Sequence, residues 1–366
     1  MTAGVTRSPR ASRRTAGGWR ALGLFWAALL LVGGAGGVAL QVVGPPKVLA
    51  DMSHDAPVAS HGGADQALEG IGADDRVAAT QAVGDHTEHP PALPVAATPR
   101  VAGPDDALME ASRFAPARMP KVGADGRMAR VVYAGPVSPG VAGMPRVALL
   151  LSGFGLSERD SRAALIEVPG AVSLAVSAYA EGIAGLLEEA RAGGHELLAS
   201  VPMEPQDYPQ NDEGPRSLMT GLAPAENALN LEWALGRTAG AVGATGASDN
   251  GMRGQRFAEV AGVFDPMVDE IGRRGLLYID PRPGRAPVRP GLAARAVDVV
   301  LDDRIGRAEI DAKLSALERV ARERGSAIGL AGPLRPATIE RIGAWARSLG
   351  ERGMLLVPVS AVVEGQ

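Results

Sequence analysis

The feature that most constrains this chain is a change of texture at Pro145. Beyond it, short apolar runs alternate with amphipathic stretches as far as the C-terminus, beginning with RVALLLSGFG. Apolar residues on consecutive positions suit strands buried on both faces, because a strand with one wet face would alternate. Such runs lie at 147–151, 172–176, 196–201, 241–244, 276–279, 297–301, 327–330 and 354–357. Between them, Ser157 followed by Asp160 reads as a helix N-cap, and Ile183, Leu186, Leu187 and Ala190 form one stripe within residues 180–192. Pro336 suits the first turn of a further helix, with Ile339, Ile342, Ala346 and Leu349 on one face and Gly353 beyond its end. Strands and helices in repeated alternation predict an α/β fold. The eight runs predict a (β/α) barrel over residues 144–366. An open doubly wound sheet satisfies the same pattern, because a strand count does not show closure.

The N-terminus carries a different signal. Arg7, Arg10, Arg13, Arg14 and Arg20 precede an uncharged run from Ala21 to Pro46. At about 1.5 Å per residue, residues 21–40 are long enough to cross roughly 30 Å of hydrocarbon as one helix. The arginines before the run, against Lys47 alone just after it, predict an N-terminus in the cytoplasm and the rest beyond the membrane. The expected organisation is a basic cytoplasmic tail (1–20), a transmembrane helix or signal anchor (21–43), a low-complexity spacer (44–143) and the α/β domain (144–366). That places the protein in the inner membrane, single-pass, with its C-terminal domain extracytoplasmic or periplasmic. A cleaved signal peptide competes, since Val48-Leu49-Ala50 resembles a small-residue cleavage site, but the apolar run is longer than the usual h-region. Arg13-Arg14 lacks the apolar residues expected after a twin-arginine export signal.

Composition narrows the function classes. A formal net charge of −4 gives no overall basic surface, which argues against nucleic acid as a partner. With no cysteine there is neither a disulfide, a thiolate metal site nor a cysteine nucleophile. Residues 44–143 are rich in Pro, Gly, Ala and Asp, with Phe114 and Tyr133 their only aromatics, and read as a mostly disordered tether. His54, His61, His86 and His89 are scattered there without paired-ligand spacing, which favours a solvated tract over a metal site. After residue 100 the chain holds one histidine, His195.

In either α/β architecture functional groups collect at the C-terminal ends of strands. The informative stretches are therefore SGFG, SVPMEP, TGASDNGMRG, DPRPG, DDR and AGP. They supply the candidate catalytic residues Glu204, Asp249, Asp280 and Asp302, with Asp303 beside the last, and His195, at the start of an apolar strand, is a further candidate. Paired carboxylates can bind a hard cation or act on a glycosidic bond. The plainer reading has Asp280 and Asp302 capping turns, Glu204 ordering the PMEP loop, and His195 hydrogen-bonded in the barrel wall. Arg253, Arg256 and Arg282 are candidates for contact with polar or anionic ligand groups.

Several motifs, in order, resemble the divergent polysaccharide deacetylases, relatives of the larger polysaccharide deacetylase superfamily. They are VALLLSGFGL, GHELLASVPMEPQDYPQNDEGPRSL, VGATGASDNGMRGQRF, RRGLLYIDPRPG, VDVVLDD, GSAIGLAGPLRPATIERI and LLVPVSAVV. They span residues 147–363, and the stretch from PMEP to GPRSL is the most specific. The resemblance implies the irregular (β/α) barrel of glycoside hydrolase/deacetylase type, a link to carbohydrate metabolism, and a divalent metal if the family chemistry survives. The family's first motif has two aspartates where this chain has Ser152 and Gly153. His195 matches the GHE segment, but the family's second histidine corresponds to Ser200. In the segment that usually resembles Asn-His-Met-Gly this chain reads Asp249-Asn250-Gly251-Met252, and Gly332 stands at the histidine of the last motif.

Metal-assisted amide hydrolysis needs a cation with an open position and a group that moves protons. A single histidine cannot supply a two-histidine site within this domain. The expectation is therefore a membrane-tethered, deacetylase-like barrel without the usual metal chemistry, a pseudoenzyme binding a cell-envelope glycan or an envelope protein. Two alternatives stand beside it: a working deacetylase of N-acetylated polysaccharide through an atypical site, and a non-catalytic envelope assembly scaffold.

Overall fold

The computed structural model describes residues 100–139, 143–248, 251–285, 291–303 and 306–363. The expected membrane helix at 21–43, the basic tail and the four spacer histidines lie outside these residues. Among the described residues no helix is long and apolar enough to cross a membrane.

The described chain opens with a correction. Residues 100–139, expected to be spacer, are folded. Strands Met109–Ala111 (β1) and Arg118–Pro120 (β2) pair antiparallel, and a short helix, Ala129–Val132 (α1), follows. Val101, Leu108, Met119, Ala129 and Tyr133 are buried in the same core cluster as barrel residues such as Ala148, Leu150 and Ile328. Tyr133 is fully buried, and its hydroxyl accepts a hydrogen bond from the Asp105 N–H at 2.8 Å. Burying side chains of this size stabilises by about 1.5–3 kcal/mol each. Composition hid this because the apolar residues come singly, so an average over the Pro- and Gly-rich stretch looks too polar to pack.

Each of the eight apolar runs holds a strand and one further strand, β8, precedes the run at 297–301: Arg146–Phe154 (β3), Ser173–Val176 (β4), Leu197–Ser200 (β5), Gly243–Thr245 (β6), Leu277–Asp280 (β7), Ala294–Ala296 (β8), Val299–Val300 (β9), Ser326–Ala331 (β10) and Leu355–Val357 (β11). The run at 297–301 differs most from expectation, because it belongs to a longer extended stretch divided between two strands. Strand order is β8-β7-β6-β5-β4-β3-β10-β9, parallel throughout. The two ends of that order are neighbours in the chain: Val297 N–H donates to Asp280 O at 2.9 Å on one side and Asp298 N–H to Ile328 O at 2.8 Å on the other. The sheet therefore curls round until its two ends share one segment, which excludes the open doubly wound alternative. The last run, β11, does not extend that order but pairs beside the first residues of β3.

Helices follow the strands: Glu158–Glu167 (α2), Ala184–Ala192 (α3), Pro224–Gly236 (α4), Gln255–Glu259 (α5), Ala261–Arg273 (α6), Arg307–Arg324 (α7) and Pro336–Arg347 (α8). Ser157 caps α2 as expected, its Oγ accepting from the Asp160 N–H at 3.2 Å. Along β3 the period-two alternation of a strand sends Val147, Leu149 and Leu151 to one core layer, with residues of α2, α7 and α8. Ala148 and Leu150 go to the other. A curled parallel sheet with helices packed outside fits a (β/α) barrel, and its strand C-termini form one mouth.

Candidate functional site

The barrel gives each candidate a place. His195 precedes β5, so it lies at the N-terminal end of the strands, roughly 16 Å along the chain direction from Ser200 at about 3.3 Å per residue. It is buried, with Nδ1 2.7 Å from Val172 O, so Nδ1 carries the proton and donates. Burial pushes its pKa down and the bond to Val172 O opposes that shift. The structure thus separates His195 from the carboxylates at the mouth. Beside it, Glu196 gathers four donors: Gly135 N–H at 2.9 Å, Ser173 Oγ at 2.7 Å, and Ser360 N–H and Oγ at 3.0 and 2.6 Å. This fully buried carboxylate ties the N-terminal segment and the C-terminal turn Val359–Val362 to the floor of the barrel.

At the mouth, the named carboxylates are engaged. Asp280, at the end of β7, takes both guanidinium bonds of Arg282, at 2.9 and 2.6 Å, and the Arg282 N–H at 3.0 Å. Arg282 also lies over the Phe264 ring at 5.1 Å, so it is held by the wall rather than presented to a ligand. Asp302 accepts from the Gly332 N–H at 3.1 Å and from Thr338 Oγ1 at 3.3 Å, with Arg335 3.7 Å away. Burial raises its pKa, while Gly332, Arg335 and Thr338 act in the opposite direction. Glu204 accepts from Thr220 N–H and Oγ1 at 2.7 and 2.6 Å and pairs with Arg256 at 3.1 Å, which fixes the PMEP loop onto α5. Arg253 is half-buried, its backbone N–H donating to Gln255 Oε1 at 3.4 Å. Asp303 is exposed and pairs with Lys313 at 3.4 Å. Asp249 and Asn250 lie outside the described residues.

The positions at which the motifs lack aspartate or histidine come together here. Ser152 Oγ donates to Ser248 O at 3.2 Å. A Cβ added at Gly332, whose φ is +148°, would stand 2.0 Å from Ser152 Oγ and 2.8 Å from Ser152 O. Gly332 therefore has no room for a side chain with the backbone as it is. Ser200, at the end of β5, is 3% exposed, and its Oγ has no hydrogen-bond partner. It faces a cleft of about 280 Å³ shared with Tyr179, Asp212, Glu213, Ser248 and Met252. A larger groove, about 370 Å³, runs between α4 and α6 on the outside of the barrel, away from the strand ends, so the cleft is the candidate site.

Tyr179, Asp212 and Glu213 were not singled out from sequence. The signal existed for Tyr179, which follows the apolar run 172–176 as a strand-end residue should. Asp212 and Glu213 fall inside the PQNDEGPRSL motif, but nothing in their spacing brings the loop back over β5. Met203 N–H does so, donating to Glu213 Oε2 at 3.0 Å.

A family model described as divergent polysaccharide deacetylase matches residues 149–363, which is nearly the whole barrel. The chain belongs to the divergent polysaccharide deacetylase family. An uncharacterized protein from Agrobacterium tumefaciens C58 is similar in structure, with a TM-score of 0.62 and 32% identity over 68% of this chain and 100% of its own. A peptidoglycan deacetylase from Bacillus subtilis aligns with a TM-score of 0.36 and 15% identity over 61% of this chain and 92% of its own. The catalytic domain of a peptidoglycan N-acetylglucosamine deacetylase from Eubacterium rectale ATCC 33656 gives 0.38 and 14%, over 62% and 91%. No curated protein matches the chain.

A divalent metal would need several carboxylate or imidazole donors converging with an open position. Among the described residues no group of three His, Cys, Asp or Glu side chains converges in that way. The mouth offers hydroxyls at Ser152 and Ser200, a glycine at 332, and carboxylates already held by Arg282, Gly332 and Arg256. Among the described residues these donors do not assemble a metal site, and Asp249 lies outside them.

Proposed function

We propose that this divergent polysaccharide deacetylase is a glycan-binding envelope protein that does not perform metal-dependent deacetylation. The observation that carries the reading is the cluster of Ser152, Ser200 and Gly332 at the strand ends, where the motif resemblance places metal ligands. The cleft beside them persists, with hydroxyl, carboxylate and aromatic groups suited to a sugar. Neutral hydroxyls bind a cation too weakly to hold it without carboxylate or imidazole help. Carbohydrate recognition needs no such cation, since hydrogen-bonding groups and an aromatic face suffice.

In the same proposal, residues 21–43 anchor the chain in the cytoplasmic membrane and the barrel works on its outer side. Basic residues before an uncharged span, with one lysine just after it, support that orientation.

The test uses the full chain in neutral detergent. Binding of an envelope-type N-acetylglucosamine oligosaccharide or its deacetylated form, without acetate release on addition of divalent metals, supports the reading. Metal-dependent acetate release would establish a working deacetylase instead. Absence of both binding and turnover would replace the reading with that of an assembly scaffold.

A further inference from the structure

We propose that Arg191, on the floor of the barrel, is a latent oxyanion site, covered by residues 101–105 as a strap that a phosphate group displaces. Arg191 is the penultimate residue of α3 and is 6% exposed. Its Nη2 donates to Ala239 O, while its Nε has no hydrogen-bond partner and no carboxylate among the described residues pairs with it. Thr238 Oγ1, one residue from that carbonyl, is also buried without a partner. Thr238 and Ala239 precede β6, so the site lies at the opposite end of the barrel from the cleft and is independent of what binds there. Burial pushes the Arg191 pKa down, and Tyr133 and Glu188 oppose that shift. The guanidinium still keeps its proton, so the fold buries a cation offset by one carbonyl. Buried charges are ordinarily paired, and one that is not marks stored strain or a place for an ion.

The cover over this cation is light, which is the second observation. A Cβ added at Gly240 would lie 3.2 Å from Arg191 Nη2 and 3.3 Å from Pro104 Cγ, so the proline ring and the guanidinium meet over one glycine. At one end of the strap, Val101 is buried and its N–H donates to Arg191 O at 3.0 Å. At the other, the Asp105 N–H donates to the Tyr133 hydroxyl at 2.8 Å, and the Asp105 carboxylate pairs with Arg127 at 2.7 Å near the surface. Ala102, Gly103 and Pro104 between them are exposed. Lifting the strap gives up these few contacts and returns the guanidinium to water, so this segment opens well before the barrel does. The planar fork then exposed matches an oxyanion, which can accept two parallel N–H bonds where chloride cannot.

The experiment is hydrogen exchange of the full chain in neutral detergent, read by mass spectrometry on the peptide covering residues 101–108, with residues 147–154 of β3 as the reference for global opening. The strap amides are expected to exchange at least about a hundredfold faster than those of β3. With a dissociation constant of about 10 mM for the opened site, about 20 mM inorganic phosphate should speed strap exchange about threefold over chloride at equal ionic strength. Mixed micelles containing phosphatidylglycerol, in place of free phosphate, tell a membrane-borne phosphate from a soluble one, and a response to either supports the site. Arg191→Met removes the buried charge, and should slow strap exchange about tenfold and abolish the phosphate response. Pro104→Ala thins the cover at an exposed position, and should speed strap exchange while leaving β3 and the phosphate response unchanged.

Strap exchange as slow as that of β3 would overturn the proposal, as would a strap that responds to neither source of phosphate. Faster exchange in Arg191→Met would make Arg191 a clamp rather than a covered site. Phosphate that slows exchange would place the anion beneath a closed strap, against displacement. Should Arg191→Met lower the thermal midpoint too far to be read, Pro104→Ala decides, and unchanged strap exchange in that variant would refute the cover.

Discussion

Gly332→Ala should destabilise the barrel by more than most single substitutions do. The backbone at Gly332 has a φ of +148°, a region that residues with a Cβ avoid, and holding such a residue there costs about 1–3 kcal/mol. The new Cβ would also stand 2.0 Å from Ser152 Oγ, 2.8 Å from Ser152 O and 3.1 Å from Ser152 C. The hydroxyl can rotate away by giving up its bond to Ser248 O. The carbonyl belongs to β3 and yields only if the strand end moves, so overpacking adds about 1–3 kcal/mol. Together these predict a loss of about 2–5 kcal/mol, since the two effects relieve each other in part. With a urea m-value of about 3 kcal/mol/M the denaturation midpoint should fall by about 1 M. Tryptophan fluorescence of the full chain in urea measures this. Ser152→Ala in the same chain should recover about 1 kcal/mol at most, because it relieves the hydroxyl and not the carbonyl. A midpoint for Gly332→Ala equal to that of the parent would refute the reasoning. A stable, unshifted Gly332→His variant would refute it more strongly, because it would mean that the mouth accepts the family's imidazole.

Other consequences follow from the same contacts. Asp280→Asn should cost about 3–5 kcal/mol by leaving the Arg282 charge without its carboxylate, and pairing it with Arg282→Met should restore part of that loss in a urea double-mutant cycle. Glu196→Ala removes the acceptor of four buried donors, and should lower the thermal midpoint and admit protease to the segment around residues 129–139, read by mass spectrometry of the fragments. The folded-state pKa of His195 lies below its unfolded value near 6.5. The unfolded chain therefore binds the extra proton first, so this residue's contribution is whole above about pH 7 and declines as pH falls through 6.5, by up to about 1.4 kcal/mol per pH unit. His195→Asn, which keeps a donor for Val172 O, should flatten the urea midpoint between about pH 5 and 7, and an unchanged slope would count against the assignment. Asp302 acts in the opposite sense, because its pKa is raised: its destabilising share grows as pH rises from its unfolded value of 3.8 towards its folded value.

How much of this was legible in sequence depended on the range of the interactions. The central strands β4 to β7 were readable because each is buried on both faces, so its apolar run is local. The Ser157 cap was readable for the same reason. Closure of the barrel was not, since it rests on Val297 and Asp298 bonding to opposite ends of the strand order. The folded segment at 100–139 was missed because Leu108, Met119 and Tyr133 find their core only through the tertiary structure. At the mouth, the motifs located Ser152, Ser200 and Gly332, while the partners of Asp280 and Asp302 were only partly visible: Arg282 is two residues away from Asp280, and Gly332 thirty away from Asp302. The cleft residues Asp212 and Glu213 needed the loop that folds back onto Met203.

The central claim is that the mouth of this barrel does not hold a catalytic metal. Its most direct test is the metal content of the full chain after equilibration with zinc, cobalt or manganese and removal of loosely bound ions. The account predicts far less than one ion per chain, with no change on substituting Asp280 or Asp302. One tightly held ion per chain, lost with either substitution, would contradict it.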